Sequence, residues 1–151
     1  MFNRTFSALR KRSWSERTLL FEALFWLGVA RFSVLVIPFR YIAPHLGSHM
    51  HVTPTESESK QAITTRHVGQ AVRLVARHTP WYSNCLAQAI AAKTMLRLRG
   101  IPSTLYLGAT KEEDQELYAH AWLRSGGLIV TGGGIHQRFK VLSTFGGNDP
   151  I

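Results

Sequence analysis

Apolar positions repeat with helical spacing through the first two-thirds of the chain and alternate like strands in the last third. The first helical pattern follows Ser13 and Glu16, whose spacing matches a capping box, and Pro38 is expected to end or kink that helix. A second helix is predicted over 60–78 and a third over about 83–99. The front of the chain is therefore expected to be helical.

Strand patterns follow the third helix. Alternating residues predict strands over 103–108, 117–124 and 128–131, and the pair at 126–127 is a hairpin turn signal. Residues 139–145 are expected to form a last edge strand. Helices followed by hairpin-connected strands indicate an α+β fold, with helices packed on a small antiparallel sheet.

The composition suggests three parts. Residues 1–46 form an N-terminal helical element, and 47–59 are rich in His, Ser, Thr and Pro, which is typical of a mobile linker. Residues 60–151 then form the core, which at this length needs neither disulfides nor a metal to fold.

Charge and cysteine content narrow the class. The chain has 151 residues, a net charge of +9 and one cysteine, which fits a reduced cytoplasmic setting. The basic residues are scattered and no nucleic-acid motif accompanies them, so nucleic acid is not expected as a partner. An acidic peptide or an anionic membrane surface suits the charge equally well.

The apolar stretch over 19–43 raises the question of a membrane. Glu22, Arg31 and Arg40 interrupt it, and no uncharged run exceeds eight residues, whereas a spanning helix needs about 20. We interpret the stretch as helices that bury against the rest of the protein or a partner, with peripheral membrane contact as the alternative.

Cys85 is the candidate nucleophile. It follows Asn84 at the start of the third predicted helix, where the helix dipole favours a thiolate. His120 lies on the second predicted strand, on one face with Trp122 and Arg124. If that helix lies on the His120 face, thiol and imidazole can meet, as in cysteine peptidases and transglutaminase-like enzymes. Without that meeting, both residues have ordinary structural roles.

Five segments carry a resemblance to a known family. They are 83–89, 96–102, 105–108, 119–123 and 129–133. In order and spacing they resemble the lasso-peptide leader peptidases, also described as microcin-processing proteins, which have a papain/transglutaminase-like core. The resemblance implies a cysteine peptidase that cuts the leader from a ribosomally made precursor and frees the core's amino group for cyclisation. It also implies three partners, namely the precursor peptide, a small leader-binding protein and an ATP-dependent lasso cyclase.

A third catalytic group would orient His120, and the sequence offers several candidates for it. Members of that family often have an acid at the positions of Thr131 and Gly132 in this chain. Thr131 is the favoured group to orient His120, and a backbone carbonyl, a water or Asp149 are the alternatives. Because an acid is missing there, one alternative function is a non-catalytic basic adaptor that binds precursor or membrane. A second alternative is a related thiol acyltransferase or deamidase, which would use the same thiol chemistry.

Three residues are candidates for lining the substrate site. Trp81 and Trp122 flank the two candidate catalytic residues, and Gln88 lies one helical turn after Cys85. The histidines show no metal-ligand spacing, and no cofactor or metal is expected.

Overall fold

The computed structural model describes residues 12–79 and 84–147. Its helices are α1 (Trp14–Val36), α2 (Phe39–Ile42), α3 (Ser59–Ala76) and α4 (Cys85–Leu98). Two short 3₁₀ helices span Ala43–Leu46 and His136–Arg138.

One antiparallel sheet follows the helices. Its strands are β1 (Ser48–His49), β2 (Ser103–Lys111), β3 (Leu117–Ser125), β4 (Leu128–Thr131) and β5 (Lys140–Gly147). They are arranged in the order β1-β5-β2-β3-β4. The predicted α+β class, with helices packed on a small antiparallel sheet, is confirmed.

The position of β5 differs from the prediction of an edge strand. β5 pairs with β2 on one side and with β1 on the other, where Ser48 faces Gly146 and His49 faces Phe145. The edge prediction was wrong because β1 is only two residues long and its partner lies almost a hundred positions away. A strand so short leaves no alternation pattern in the sequence.

The capping box at the start of α1 is present as predicted. The Ser13 hydroxyl accepts a hydrogen bond from the Glu16 backbone N–H at 3.3 Å, and the Glu16 carboxylate accepts one from the Ser13 N–H at 3.0 Å. These two hydrogen bonds satisfy two backbone donors that a helix N-terminus otherwise leaves unpaired.

The other end of α1 is at Val36, and Pro38 is the N-cap of α2.

The hydrophobic core lies between the helices and one face of the sheet. α1 packs on both α3 and α4, which in turn cover the strands. The largest core contributions from the helices are Leu27, Val68, Val72, Met95 and Leu96, and those from the sheet are Leu105, Leu123 and Phe145. The N-terminal helix is thus part of the same core as the sheet.

One face of α3 packs on the sheet. Ile63 is exposed, whereas Val68, Gly69 and Val72 are buried. A Cβ at Gly69 would lie 2.9 Å from the carbonyl oxygen of Val130 on β4. The helix therefore approaches the sheet through its smallest residue.

Residues 47–59 are not a free linker. Thr53 is buried, and its backbone N–H donates to the Thr104 hydroxyl at 2.9 Å. The Arg124 guanidinium donates to the Thr53 carbonyl at 2.6 Å. These contacts hold the segment across the sheet face that the helices leave open, a role that polar composition alone does not reveal.

Candidate active site

Cys85 is the first residue of α4. Asn84 is the N-cap, with extended backbone angles, and its side-chain oxygen accepts a hydrogen bond from the Ala87 N–H at 2.9 Å. The N–H groups of Cys85 and Leu86 have no intrahelical acceptor in this geometry. The helix start therefore offers a half-buried thiol beside backbone donors.

Lys93 fixes α4 on the sheet. Its side chain is only 2% exposed, and its ammonium donates to the Ser103 carbonyl at 2.7 Å and to the Ser103 hydroxyl at 3.2 Å. The side chain of Ser103 shares a sheet face with that of Leu105, so α4 lies on that face. Gly100, with φ +68°, turns the chain back from α4 into β2.

Cys85 and His120 lie at similar distances along the chain from this anchor. Cys85 precedes Lys93 by eight residues, or about 12 Å of helix. His120 precedes Arg124, which pairs with Thr104 beside the anchor, by four residues, or about 13 Å of strand. Because the short connection through Gly100 reverses the chain between α4 and β2, we infer that both residues lie toward the same end of the sheet.

The two residues nevertheless start from different faces of β3. The predicted alternation is correct, since His120 lies on one face with Trp122. However, α4 covers the Leu105 and Leu123 face, so the condition that this helix lies on the His120 face was wrong. Alternation decides which residues share a face, but it cannot tell which face a helix will cover. In the described part of the chain, no hydrogen bond joins the thiol to the imidazole.

His120 turns toward the free edge of β3. β4 pairs with β3 only over Leu123 to Ser125, and Gly132 follows the last residue of β4. The Nε2 atom of His120 lies 2.8 Å from the Gly132 carbonyl oxygen. A carbonyl can only accept, so Nε2 carries the proton, and in the neutral ring Nδ1 keeps a lone pair. The geometry thus leaves Nδ1 available as a base.

Aromatic rings enclose the imidazole. The Phe139 ring centre lies 5.0 Å from that of His120, and the Trp122 ring is stacked on it at 5.9 Å. Trp122 is itself stacked on Tyr106 at 5.3 Å, and Tyr106 accepts a hydrogen bond from Arg124 at 3.0 Å. The stack restricts how the imidazole can rotate.

Thr131 does not orient His120. Its side chain is buried on the Leu123 side of the sheet, and its hydroxyl has no hydrogen-bond partner within the described residues. The imidazole instead donates from Nε2 to the carbonyl oxygen of the next residue, Gly132. A backbone carbonyl was among the alternatives and is the group found. Asp149 lies outside the described residues.

The three residues predicted to line the substrate site have different outcomes. Trp122 is stacked on His120 but is only 4% exposed. It therefore packs against the imidazole inside the protein and does not form an exposed wall of a substrate groove. Gln88 is half-buried and its role stays a prediction, while Trp81 lies outside the described residues. Within 12–79 and 84–147, no group of three or more His, Cys, Asp or Glu side chains could hold a metal ion.

Sequence reasoning missed Gly132, Phe139 and Tyr106. The Gly run at 132–134 was visible, but a backbone carbonyl has no residue signature. Phe139 comes to His120 from the far side of a loop and a 3₁₀ helix, so nothing local points to it.

One tyrosine and one arginine have a raised pKa, namely Tyr118 and Arg99. Hydrogen bonds from the Tyr118 hydroxyl to Asp114 and Glu116, at 2.9 and 3.3 Å, raise the pKa of Tyr118, since the carboxylates favour the protonated phenol. The hydrogen bonds of Arg99 to Glu22 raise the pKa of Arg99. The hydrogen bonds of Tyr118 place two carboxylates near the His120 end of β3. The ion pair between Arg99 and Glu22 joins α4 to α1.

A thiol at a helix start and an imidazole on an antiparallel strand of an α+β fold are the arrangement typical of papain-like and transglutaminase-like proteins. The transglutaminase-like superfamily model matches residues 33–144, and the chain belongs to that superfamily. The match runs from the last turn of α1 into β5. The superfamily includes cysteine peptidases and acyltransferases. No curated protein and no solved structure matches the chain.

Proposed function

We propose that this protein is a cysteine peptidase that cuts the leader from a lasso-peptide precursor and frees the core's amino group for cyclisation. Two observations support the chemistry: Cys85 is the first residue of α4, and the Nε2 atom of His120 lies 2.8 Å from the Gly132 carbonyl oxygen, which leaves Nδ1 of the neutral ring as the base in this proposal. Membership of the transglutaminase-like superfamily supports thiol chemistry at this place. The choice of a lasso precursor rests on the five sequence segments that resemble leader peptidases.

In the proposed reaction, His120 Nδ1 takes the proton of the Cys85 thiol. The thiolate attacks the carbonyl carbon of the scissile peptide bond, and the N–H groups at the start of α4 donate to the oxyanion. The imidazolium then gives its proton to the leaving amine, which is the core's new N-terminus. Water, deprotonated by the same ring, hydrolyses the thioester and releases the leader.

The proposed partners follow from the same resemblance. A small leader-binding protein would deliver the precursor, and an ATP-dependent cyclase would join the freed amine to an acidic side chain. The reaction would take place in the cytoplasm. The net charge of +9 gives an acidic leader or an acidic partner an electrostatic attraction to this chain.

Two other functions, acyl transfer and non-catalytic binding, are each supported by one specific observation. The superfamily also contains acyltransferases, so the same thioester could pass to an amine instead of water. A non-catalytic adaptor is favoured by the neutral carbonyl that holds His120, because it supplies no charge to stabilise an imidazolium.

A cleavage assay by mass spectrometry tests the proposal. The full chain is mixed with a candidate precursor peptide and a candidate leader-binding protein, and wild type is compared with Cys85→Ala and His120→Ala. His67→Ala is the control, because His67 is an exposed histidine on α3. We expect a single cut between leader and core in wild type and the control, and none in the two site variants.

The alternatives give different products. A new amide in the presence of an added amine would identify an acyltransferase. Binding of the precursor without any cut would support the adaptor, and equal cutting by wild type and Cys85→Ala would remove the thiol from the mechanism.

A further inference from the structure

One side of α1 presents aromatic rings to the solvent. Their exposed fractions are 79, 70, 61 and 64%, and we call these residues the aromatic face: Trp14, Phe21, Phe25 and Phe32. Spacings of seven, four and seven residues align them along one line of the helix. The 23-residue helix is about 34 Å long, so the face is an extended apolar ridge.

The opposite side of α1 belongs to the core. Leu20, Ala23 and Leu27 are buried against α3 and α4, and Glu22 makes a two-fold ion pair with Arg99 at 2.6 and 2.8 Å. By length and composition α1 is apolar enough to cross a membrane. A spanning helix would have to leave these contacts, whereas a helix lying in the membrane plane would expose only its aromatic face to lipid.

Exposed cations lie on both sides of the aromatic face along the chain. Arg12, two residues before α1 begins, and Arg40, on α2, are both exposed. The acids within residues 12–55 are Glu16 and Glu22, and both are engaged, in the capping box and in the ion pair with Arg99. An anionic surface would therefore meet exposed arginines, while the two acids of α1 are held by partners within the described residues.

A second copy of the chain fits this face less well. In a two-fold contact through α1, the same cationic ends would face each other on two chains that each carry +9. Anionic lipid headgroups replace that repulsion by attraction, while the aromatic rings enter the boundary between headgroups and acyl chains.

We propose that the aromatic face of α1 docks the protein on an anionic membrane, with the helix axis parallel to the membrane plane. The proposal does not depend on the proposed peptidase activity, and its test uses no substrate.

Vesicle sedimentation of the full chain tests it. Vesicles of phosphatidylcholine alone are compared with vesicles containing phosphatidylglycerol, for wild type, the double variant Phe21→Ser/Phe25→Ser and the charge variant Arg12→Gln/Arg40→Gln. Leu142→Ser is the control, since Leu142 on β5 is 58% exposed and Phe25 is 61% exposed. Circular dichroism and thermal unfolding show whether all variants keep the fold.

We expect wild type and Leu142→Ser to bind the anionic vesicles and the Phe double variant to bind them at least about tenfold more weakly, because two aromatic side chains no longer enter the lipid. The charge variant should weaken binding to anionic vesicles, and added salt should do the same.

Four results would overturn the proposal. The first is equal binding by wild type and the Phe double variant, and the second is no binding of wild type to either kind of vesicle. The third is binding that resists extraction with alkaline carbonate, which indicates a spanning helix. The fourth is a dimer in the absence of lipid that the Phe double variant converts to a monomer, because the face would then be a contact between copies.

Discussion

Gly132→Ala tests whether the backbone after β4 orients His120. Gly132 has φ +72°, where an L-residue is strained, and a Cβ there would lie 2.6 Å from the Ala121 carbonyl oxygen and 3.0 Å from His120 Nε2. The left-handed conformation costs about 1–2 kcal/mol. Crowding against backbone adds about 1–3 kcal/mol. We expect the free energy of unfolding to fall by the sum, about 2–5 kcal/mol.

Gly100→Ala is the matched control. Gly100 has φ +68°, almost the same as Gly132, but a Cβ there meets no atom within 4 Å. It should therefore lose only the conformational part, about 1–2 kcal/mol. The difference between the two variants, about 1–3 kcal/mol, measures the crowding around His120 alone.

Two assays on the full chain separate stability from orientation. Denaturant unfolding gives the two free energies, and mass spectrometry follows alkylation of Cys85 by iodoacetamide, which is site-specific because the chain has one cysteine. We expect alkylation to slow in Gly132→Ala and to be unchanged in Gly100→Ala. Under the proposed function, precursor cleavage by Gly132→Ala should fall at least about 100-fold, as expected when a general base is displaced. Equal stability and equal alkylation of the two variants would refute the role of Gly132.

Two further variants test neighbouring parts of the site. Thr131→Val removes a buried hydroxyl without a partner, so the free energy of unfolding should rise by about 1 kcal/mol. Alkylation of Cys85 should stay at the wild-type rate, and slower alkylation would mean that Thr131 does act on His120. Asn84→Ala removes the cap of α4 and should lower the free energy of unfolding by about 1 kcal/mol and slow alkylation. Asn84→Ser keeps a capping oxygen and should restore both, so an equal loss in the two variants would contradict the capping role.

The local elements were predictable from the sequence because their causes lie within a few residues. Ser13 and Glu16 satisfy each other's backbone across one helical turn, and the hairpin turn at 126–127 joins strands that begin and end within one residue of the prediction. The start of α4 follows from Asn84 in the same way. Each of these is a short-range contact that residue type alone can specify.

The arrangement of those elements was not predictable, since it depends on contacts between distant residues. Lys93 and Ser103 decide which sheet face α4 covers, and a buried lysine in a helix has no distinctive pattern. β1 becomes part of the sheet only through pairing with residues 145 and 146. The orienting group of His120 could not be found by residue type, because any residue at 132 has a carbonyl.

The exchange of a carboxylate for a carbonyl has a consequence for the proposed mechanism. The Gly132 carbonyl fixes the tautomer of His120 as well as a carboxylate would, but it adds no negative charge when the ring takes the proton of Cys85. Two other features can stabilise the ion pair that then forms. The faces of Phe139 and Trp122, at 5.0 and 5.9 Å, attract a cationic ring by about 0.5–2 kcal/mol each. The start of α4 stabilises the thiolate of Cys85 through its backbone dipoles. In the proposed mechanism, orientation and charge stabilisation, which one acid often supplies together, are divided between a backbone carbonyl, two aromatic rings and a helix N-terminus.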